Sequence, residues 1–134
     1  MNITTANAIF KAGAVAFASA LMKIGIDSLT SATSTANFGL PAQASETLNY
    51  IPVFGIRDLG FGAGIVALLA AEYGGIIPAD GGRAASIVIA AGACVGLGDS
   101  VIVRLAGGEG ALGHRVGASL MALTACGIWA TAGS

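Results

Sequence analysis

The chain alternates between long apolar stretches and shorter polar connections. Four stretches are apolar over about the length of a membrane-spanning helix, at about 8–26, 51–71, 83–105 and 112–132. A helix that crosses a bilayer needs about 20 mainly apolar residues. The stretches are rich in alanine and do not alternate apolar and polar positions, which argues against strands. The pattern therefore predicts an all-α fold, a four-helix transmembrane bundle.

The connections between these segments differ in length. The longest, residues 27–50, is rich in Ser, Thr, Ala and Asn, and its Ser28–Asn37 part fits a short interfacial helix. The linkers 73–82 and 106–110 are short and rich in glycine, as expected for turns. Because a chain of this length has room for one domain, residues 1–134 are predicted to form a single integral membrane domain.

Composition supports a location in a membrane. Of 134 residues, 55% are apolar and 10% are charged, against about 25% charged in an average soluble domain. Six basic and seven acidic side chains are too few to solvate the surface of a small soluble protein. Glycine, with 21 copies, lets helices approach closely in a bilayer. The net charge of −1 gives no basic surface for nucleic acid, so the expected partner is the lipid bilayer.

The first segment is expected to be retained rather than cleaved as a signal peptide. No basic residue precedes Lys11, and Lys23 interrupts the end of the segment, which is a poor order of charges for a signal peptide. The sequence does not identify the membrane, although in a eukaryote we expect the endoplasmic reticulum.

The sequence predicts no metal and no cofactor. Cys94 and Cys126 lie inside apolar runs without metal-binding spacing, and we interpret them as buried small apolar residues. One histidine and two separated cysteines are too few for zinc, haem or an iron–sulfur cluster.

Four crossings place both termini on one side of the membrane. We call this side, together with the 73–82 linker, the T end of the bundle, and the side of residues 27–50 and 106–111 the L end. The basic residues near the L end are Lys23, Arg57, Arg104 and Arg115, and those near the T end are Lys11 and Arg83. The positive-inside rule therefore favours a cytosolic L end. Lys11, Glu72, Asp80 and Arg83 resemble ordinary boundary residues, and Lys23, Arg104 and Arg115 resemble interfacial anchors.

Three charged residues inside the predicted helices fall at one depth near the L end. Arg57 and Asp58 lie six or seven residues into the second segment, and Asp99 lies about six residues before the end of the third. At 1.5 Å per residue, these groups sit roughly 9 Å inside the L face. His114 opens the fourth segment at the same end. We therefore predict that Arg57, Asp58, Asp99 and His114 converge and form the catalytic group.

Two phenylalanines flank this group. Phe54 and Phe61 lie at i−3 and i+4 from Arg57, so they share its helix face, and we predict that they form substrate-binding walls of a pocket. Ionised groups inside a bilayer are costly and normally turn inward and pair. A purely structural salt bridge between Arg57 and Asp99 therefore stays open as the simpler interpretation.

Four motifs carry a family resemblance. They are Asn-Phe-Gly-Leu-Pro at 37–41, Val-Phe-Gly-Ile-Arg-Asp-Leu-Gly at 53–60, Gly-Asp-Ser-Val-Ile-Val at 98–103, and His114. Together they resemble a family of small four-helix membrane proteins catalogued as a domain of unknown function in fungi and bacteria, akin to the DoxX-like group. The resemblance covers nearly the whole chain and implies a four-helix membrane bundle. Some fungal members are similar to small membrane proteins of natural-product pathways, which implies an enzyme acting on a lipophilic small molecule.

These observations favour a cofactor-free acid/base enzyme that hydrolyses or cyclises an epoxide, or catalyses an isomerisation. Asp58 or Asp99 would act as the base, and the other carboxylate or His114 as the acid. Arg57 would orient them or stabilise negative charge. Soluble epoxide hydrolases of another fold offer a mechanistic analogy for an Asp–Arg–Asp arrangement.

Two other functions remain open. The carboxylates would carry a proton, an ion or a small molecule in a transport protein, although the middle and T-end halves of the segments are apolar, which argues against a pore through one bundle. The small size also suits a non-catalytic accessory subunit of a membrane complex. A homo-oligomer is compatible with each of these functions.

Overall fold

The computed structural model describes residues 2–31 and 51–132, which form four α-helices. In chain order they are α1 (Ile3–Thr30), α2 (Ile51–Tyr73), α3 (Arg83–Leu105) and α4 (Ala111–Thr131). These two ranges contain no strand, and the predicted all-α four-helix bundle is confirmed. The motif at 37–41 and the predicted interfacial helix beyond residue 31 lie outside the described residues.

α1 is longer than the apolar stretch that predicted it, which ran from about 8 to 26. The side chain of Asn2 caps the first turn by accepting a hydrogen bond from the backbone. In the last turns Lys23 pairs with Asp27, and Ser28 donates a hydrogen bond to the backbone one turn earlier. These local interactions stabilise polar helical turns, which a boundary drawn from hydropathy alone leaves out.

Three of the helices in the described ranges, α1, α2 and α3, are long and apolar enough to cross a membrane. α4 has 21 residues, but its first turns carry Gly113, His114 and Arg115 and are less apolar. The chain is therefore a membrane protein with a helical bundle, while the crossing by α4 stays a prediction.

Neighbouring helices run antiparallel and approach closely through glycine. α1 and α2 are the clearest case, because a Cβ added to Gly25 would lie 2.6 Å from the Gly55 carbonyl oxygen, and one added to Gly62 would lie 2.6 Å from the Ala18 oxygen. α3 and α4 meet where Gly96 faces the side chain of Ala118. Only glycine permits such backbone contact, which is the role expected for small residues in membrane bundles.

The core of the bundle lies in its middle and T-end half. Ile65, Ile89 and Ile128 are fully buried there, together with Ala14 and Ala18. These residues come from all four helices and fill the axis of the bundle with apolar atoms.

The T-end residues interpreted as ordinary boundary residues form specific contacts. Lys11 Nζ lies 3.0 Å from Glu72 Oε1, which also accepts a hydrogen bond from the Gly81 amide at 3.1 Å. Asp80 accepts hydrogen bonds from two amides at the start of α3, and Arg83 donates to the Ala132 carbonyl at 2.6 Å. The network joins the ends of all four helices.

The interpretation of the cysteines as buried was wrong. Cys94 and Cys126 are both exposed on the outside of the bundle. In a membrane protein apolar residues face the lipid as well as the core, so an apolar run does not tell which way a residue points.

Candidate functional site

Arg57 links α2 to α3 through a two-point ion pair. Its Nη1 and Nη2 donate hydrogen bonds to Oδ1 and Oδ2 of Asp99 at 3.1 and 2.8 Å. Both side chains are mostly buried, with 25% and 16% of their surfaces exposed. A planar guanidinium matches the two oxygens of a carboxylate, which makes such a pair strong and directional.

Asp58 is held by the same arginine through one oxygen only. Nε and Nη2 of Arg57 both lie 3.1 Å from Asp58 Oδ1. Oδ2 makes no hydrogen bond to any residue in the described ranges. Asp58 is buried, with 8% of its surface exposed. The two carboxylates are therefore unequal, because Asp99 is engaged at both oxygens and Asp58 at one.

The two phenylalanines predicted to form the walls of a pocket lie in different places. Phe61 lines a cavity next to the carboxylates. Phe54 instead places its ring 5.2 Å from the guanidinium carbon of Arg57, a cation–π contact, and it is not among the residues that line the cavity. Phe54 therefore stacks against Arg57, and its role as a substrate-binding wall stays a prediction.

A cavity of about 430 Å³ opens in front of the carboxylates, and we call it the L-end cavity. Its volume lies in the range that holds small organic ligands. Asp58, Asp99, Arg57 and His114 all line it, so the structure brings the four predicted catalytic residues around one space. The rest of the wall is mainly apolar or glycine, including Phe17, Leu21, Gly92 and Met121.

His114 enters the cavity wall from the start of α4, opposite α2. Asp58 lines the same cavity from α2. An imidazole and a carboxylate therefore face one space from two different helices, as a separated acid and base require.

The structure adds a polar contact that the sequence did not indicate. Arg115, which we interpreted as an interfacial anchor, donates from Nε to Ser100 Oγ at 3.0 Å. Ser100 is almost fully buried and follows Asp99 directly, so the contact fixes α4 against the turn of α3 that carries Asp99. The adjacency of Asp99 and Ser100 was visible in the sequence, but their partner was not.

The wall contributed by α1 was also missed. Phe17, Leu21 and Ile24 line the cavity, yet they carry no polar group that singles them out within an apolar helix. Only the packing of α1 against α2 reveals which of its faces borders the cavity.

The arrangement can bind an uncharged, mainly apolar molecule and present a polar atom of that molecule to Asp58. Two carboxylates and one guanidinium leave one negative charge in the site unless a proton is held by Asp58 or His114. Unbalanced charge is costly inside a bilayer, so the site is suited to holding and transferring one proton. The groups of three or more His, Cys, Asp or Glu side chains that would hold a metal ion are absent from the described ranges.

Comparison with known proteins places the chain in a family. No curated protein and no solved structure matches it. The profile of one family, described as Domain of unknown function (DUF4267), matches residues 18–130. The match covers slightly less than half of α1, all of α2 and α3, and all of α4 except its last residue. It includes the four predicted catalytic residues. The chain therefore belongs to the DUF4267 family, as its resemblance to a family of unknown function predicted.

Proposed function

We propose that the protein is a membrane-embedded acid/base enzyme that acts on a lipophilic small molecule. The observation that carries the proposal is the L-end cavity with the half-engaged carboxylate of Asp58 in its wall. A salt bridge with a purely structural role needs no cavity beside it, and a packed interior would stabilise the bundle better.

The two carboxylates take different roles in this proposal. Asp58 is the proton-transferring group, because it lines the cavity and Arg57 engages it through Oδ1 alone. Asp99 is a positioning residue that holds Arg57 at two points, and Arg57 in turn holds Asp58. His114 is the second proton-transferring group, since it faces the same cavity.

Epoxide opening and isomerisation both fit this pair. In hydrolysis, Asp58 removes a proton from water as the water oxygen attacks a ring carbon. In the same step the epoxide C–O bond to that carbon breaks, and the released oxygen receives a proton from His114. In isomerisation, Asp58 removes a proton beside a carbonyl, and a proton is returned at another carbon. Neither reaction needs a redox cofactor.

The alternative of a transport path through one bundle finds less support. Ile65, Ile89 and Ile128 are fully buried between the cavity and the T end, so a polar path would have to pass through the apolar core. Moving an ion through such a region without polar partners costs several kcal/mol.

The test is to reconstitute the protein in vesicles and supply lipophilic epoxides and cyclic enones, with products identified by mass spectrometry. We expect turnover by the natural sequence and a loss of about 10²–10⁴-fold in Asp58→Asn, the range for removal of a general acid or base. Asp27→Asn is the matched control, because Asp27 also lies at the L end but pairs with Lys23 outside the cavity. Full activity in Asp58→Asn, or no turnover of either compound class, contradicts the proposal.

A further inference from the structure

The L-end cavity reaches the outer surface of the bundle between α1 and α4. Ala20 of α1 and Gly113 of α4 both line the cavity, and both are exposed. Residues that border an internal space and the outside at the same time mark an opening. Gly113 lies in the first turn of α4, whereas Ala20 lies almost three turns before the L-end limit of α1. Because of Ala20, the opening extends along the side of the bundle.

The other three seams between neighbouring helices are bridged near the L end. α1 and α2 are in backbone contact at Gly25 and Gly55. α2 and α3 are joined by the ion pair of Arg57, and α3 and α4 by the hydrogen bond between Arg115 and Ser100. Each seam is held by a close contact or a charged hydrogen bond.

The α1–α4 seam has its direct contacts toward the T end. Asn7 Nδ2 donates to Thr131 Oγ1 at 3.0 Å, and the ring of Phe10 packs against Gly127. Further toward the middle, Gly13 faces Thr124, 3.8 Å from a Cβ added to the glycine. From there toward the L end, the two helices border the cavity.

Glycines keep the α4 side of this opening clear. A Cβ added to Gly113 or Gly117 would meet no atom of a described residue within 4 Å, whereas one added to Gly62 would lie 2.6 Å from the backbone of α1. Gly113 and Gly117 are therefore not required for helix contact, yet both line the cavity. Larger side chains at these positions would extend into free space at the opening.

We propose that the gap between α1 and α4 is a lateral opening through which a lipid-dissolved substrate reaches Asp58 from within the bilayer. The substrate class is a slender hydrocarbon, such as an alkyl or isoprenoid chain, with one small polar group at its end. The hydrocarbon lies along the apolar wall, and the polar group meets Asp58 and Arg57. This inference rests on the proposed function for its ligand, but binding through the opening does not require turnover.

The test uses a photoreactive long-chain alcohol that carries an alkyl diazirine and is dissolved in vesicles holding the protein. After irradiation, labelled residues are mapped by mass spectrometry. We expect label on cavity residues such as Phe61 and Met121, and its loss in Gly113→Leu and Gly117→Leu. Gly60→Leu is the matched control. Gly60 is also an exposed helical glycine with no described atom within 4 Å of an added Cβ, but it does not line the cavity. It should keep the label.

A variant on α1 tests whether the glycine variants lose label because the opening is blocked or because the protein misfolds. Ala20→Phe narrows the opening from the α1 side and should lose cavity label while keeping helix content and labelling of the outer surface. Cavity label unchanged in both Gly117→Leu and Ala20→Phe, or absent from the natural sequence, overturns the opening.

The outcome separates the opening from the proposed chemistry. Asp58→Asn should keep its cavity label, because the ligand still enters. Labelling that depends on the opening, in a protein without turnover, would reject the enzyme and keep the opening. Turnover that is unchanged in Gly117→Leu and Ala20→Phe would reject the opening and keep the enzyme.

Discussion

Arg57 organises the site because each of its three nitrogen atoms contacts a carboxylate. Nη1 and Nη2 hold Asp99 at both oxygens, and Nε and Nη2 hold one oxygen of Asp58. The ring of Phe54 covers part of the guanidinium. A charged group with this many partners is fixed in one geometry, and that rigidity is what a positioned acid or base needs.

Removing Asp99 should destabilise the protein more than removing an exposed charge. Asp99→Asn breaks the two-point pair, and loss of one partner from a buried pair costs up to about 3–5 kcal/mol, reduced here because Arg57 keeps Asp58. Asp27→Asn breaks an exposed pair with Lys23, worth about 0–1 kcal/mol. Thermal unfolding in detergent, followed by circular dichroism, measures both. Equal midpoints for the two variants would contradict a buried, strengthened pair.

The sequence predicted the individual charged residues of the site but not all of their partners. Arg57, Asp58 and Asp99 could be found because charges inside a membrane must pair, and their depth follows from counting residues along helices. The contact between Arg115 and Ser100 could not, because a serine beside an aspartate has no distinctive pattern.

Two different kinds of contact hold the helices together. α1 and α2 meet backbone to backbone through Gly25, Gly55 and Gly62. α2 and α3 are joined near the L end by the ion pair of Arg57. Contact through glycine explains how α1 and α2 can pack tightly in a bilayer, which supplies no hydrophobic force between helices.

Two glycines of α2 should respond oppositely to alanine. A Cβ at position 62 would lie 2.6 Å from the Ala18 oxygen, so Gly62→Ala forces α1 and α2 apart and should cost about 1–3 kcal/mol, as overpacking does. Gly60→Ala meets nothing within 4 Å and should leave stability unchanged or slightly raised. Denaturation in detergent compares the two, and similar losses would show that the seam is not as close as described.

Helix positions were predictable from hydropathy, whereas helix contacts were not. The third helix begins and ends where its apolar stretch does, at Arg83 and Leu105. The polar ends of α1 were missed because capping and i,i+4 pairing extend a helix beyond its apolar part. Which glycines touch a neighbour, and which border open space, depends on three-dimensional packing.

The apolar core and the L-end cavity lie in different halves of the molecule. Buried isoleucines fill the axis toward the T end, and the Lys11–Glu72 pair helps to join the helices there. The L-end half holds the cavity, with Arg57, Asp58, Asp99 and His114 in its wall. A packed core beside a cavity is a suitable frame for a site that must admit a ligand.

The fourth membrane crossing can be tested with introduced cysteines. In a background with Cys94→Ala and Cys126→Ala, Glu109→Cys should react with an impermeant thiol reagent from one side of the membrane. Ile76→Cys, and a cysteine appended to the C terminus, should react only from the other side. Reaction of the appended cysteine from the same side as Glu109→Cys would show that α4 does not cross.

Hydropathy and composition predicted a helical membrane protein, but they did not predict the L-end cavity. The sequence indicated that charges would meet at the L end, and it left open whether they would be packed solid. Gly113 and Gly117 add no side chain to the wall of the L-end cavity, and a Cβ at either would meet no described atom within 4 Å. Gly92 also lines the cavity, but there the side chain of Met121 packs against the glycine.

The central claim is that Asp58 transfers a proton to or from a molecule bound in the L-end cavity. The most direct measurement is the kcat of Asp58→Asn at saturating substrate, on a lipophilic epoxide or enone that the natural sequence converts, with KM determined in the same vesicles. Since the amide keeps the shape of the carboxylate but cannot act as a base, we predict a kcat lower by about 10²–10⁴-fold with a nearly unchanged KM. A kcat equal to that of Asp27→Asn would contradict the account.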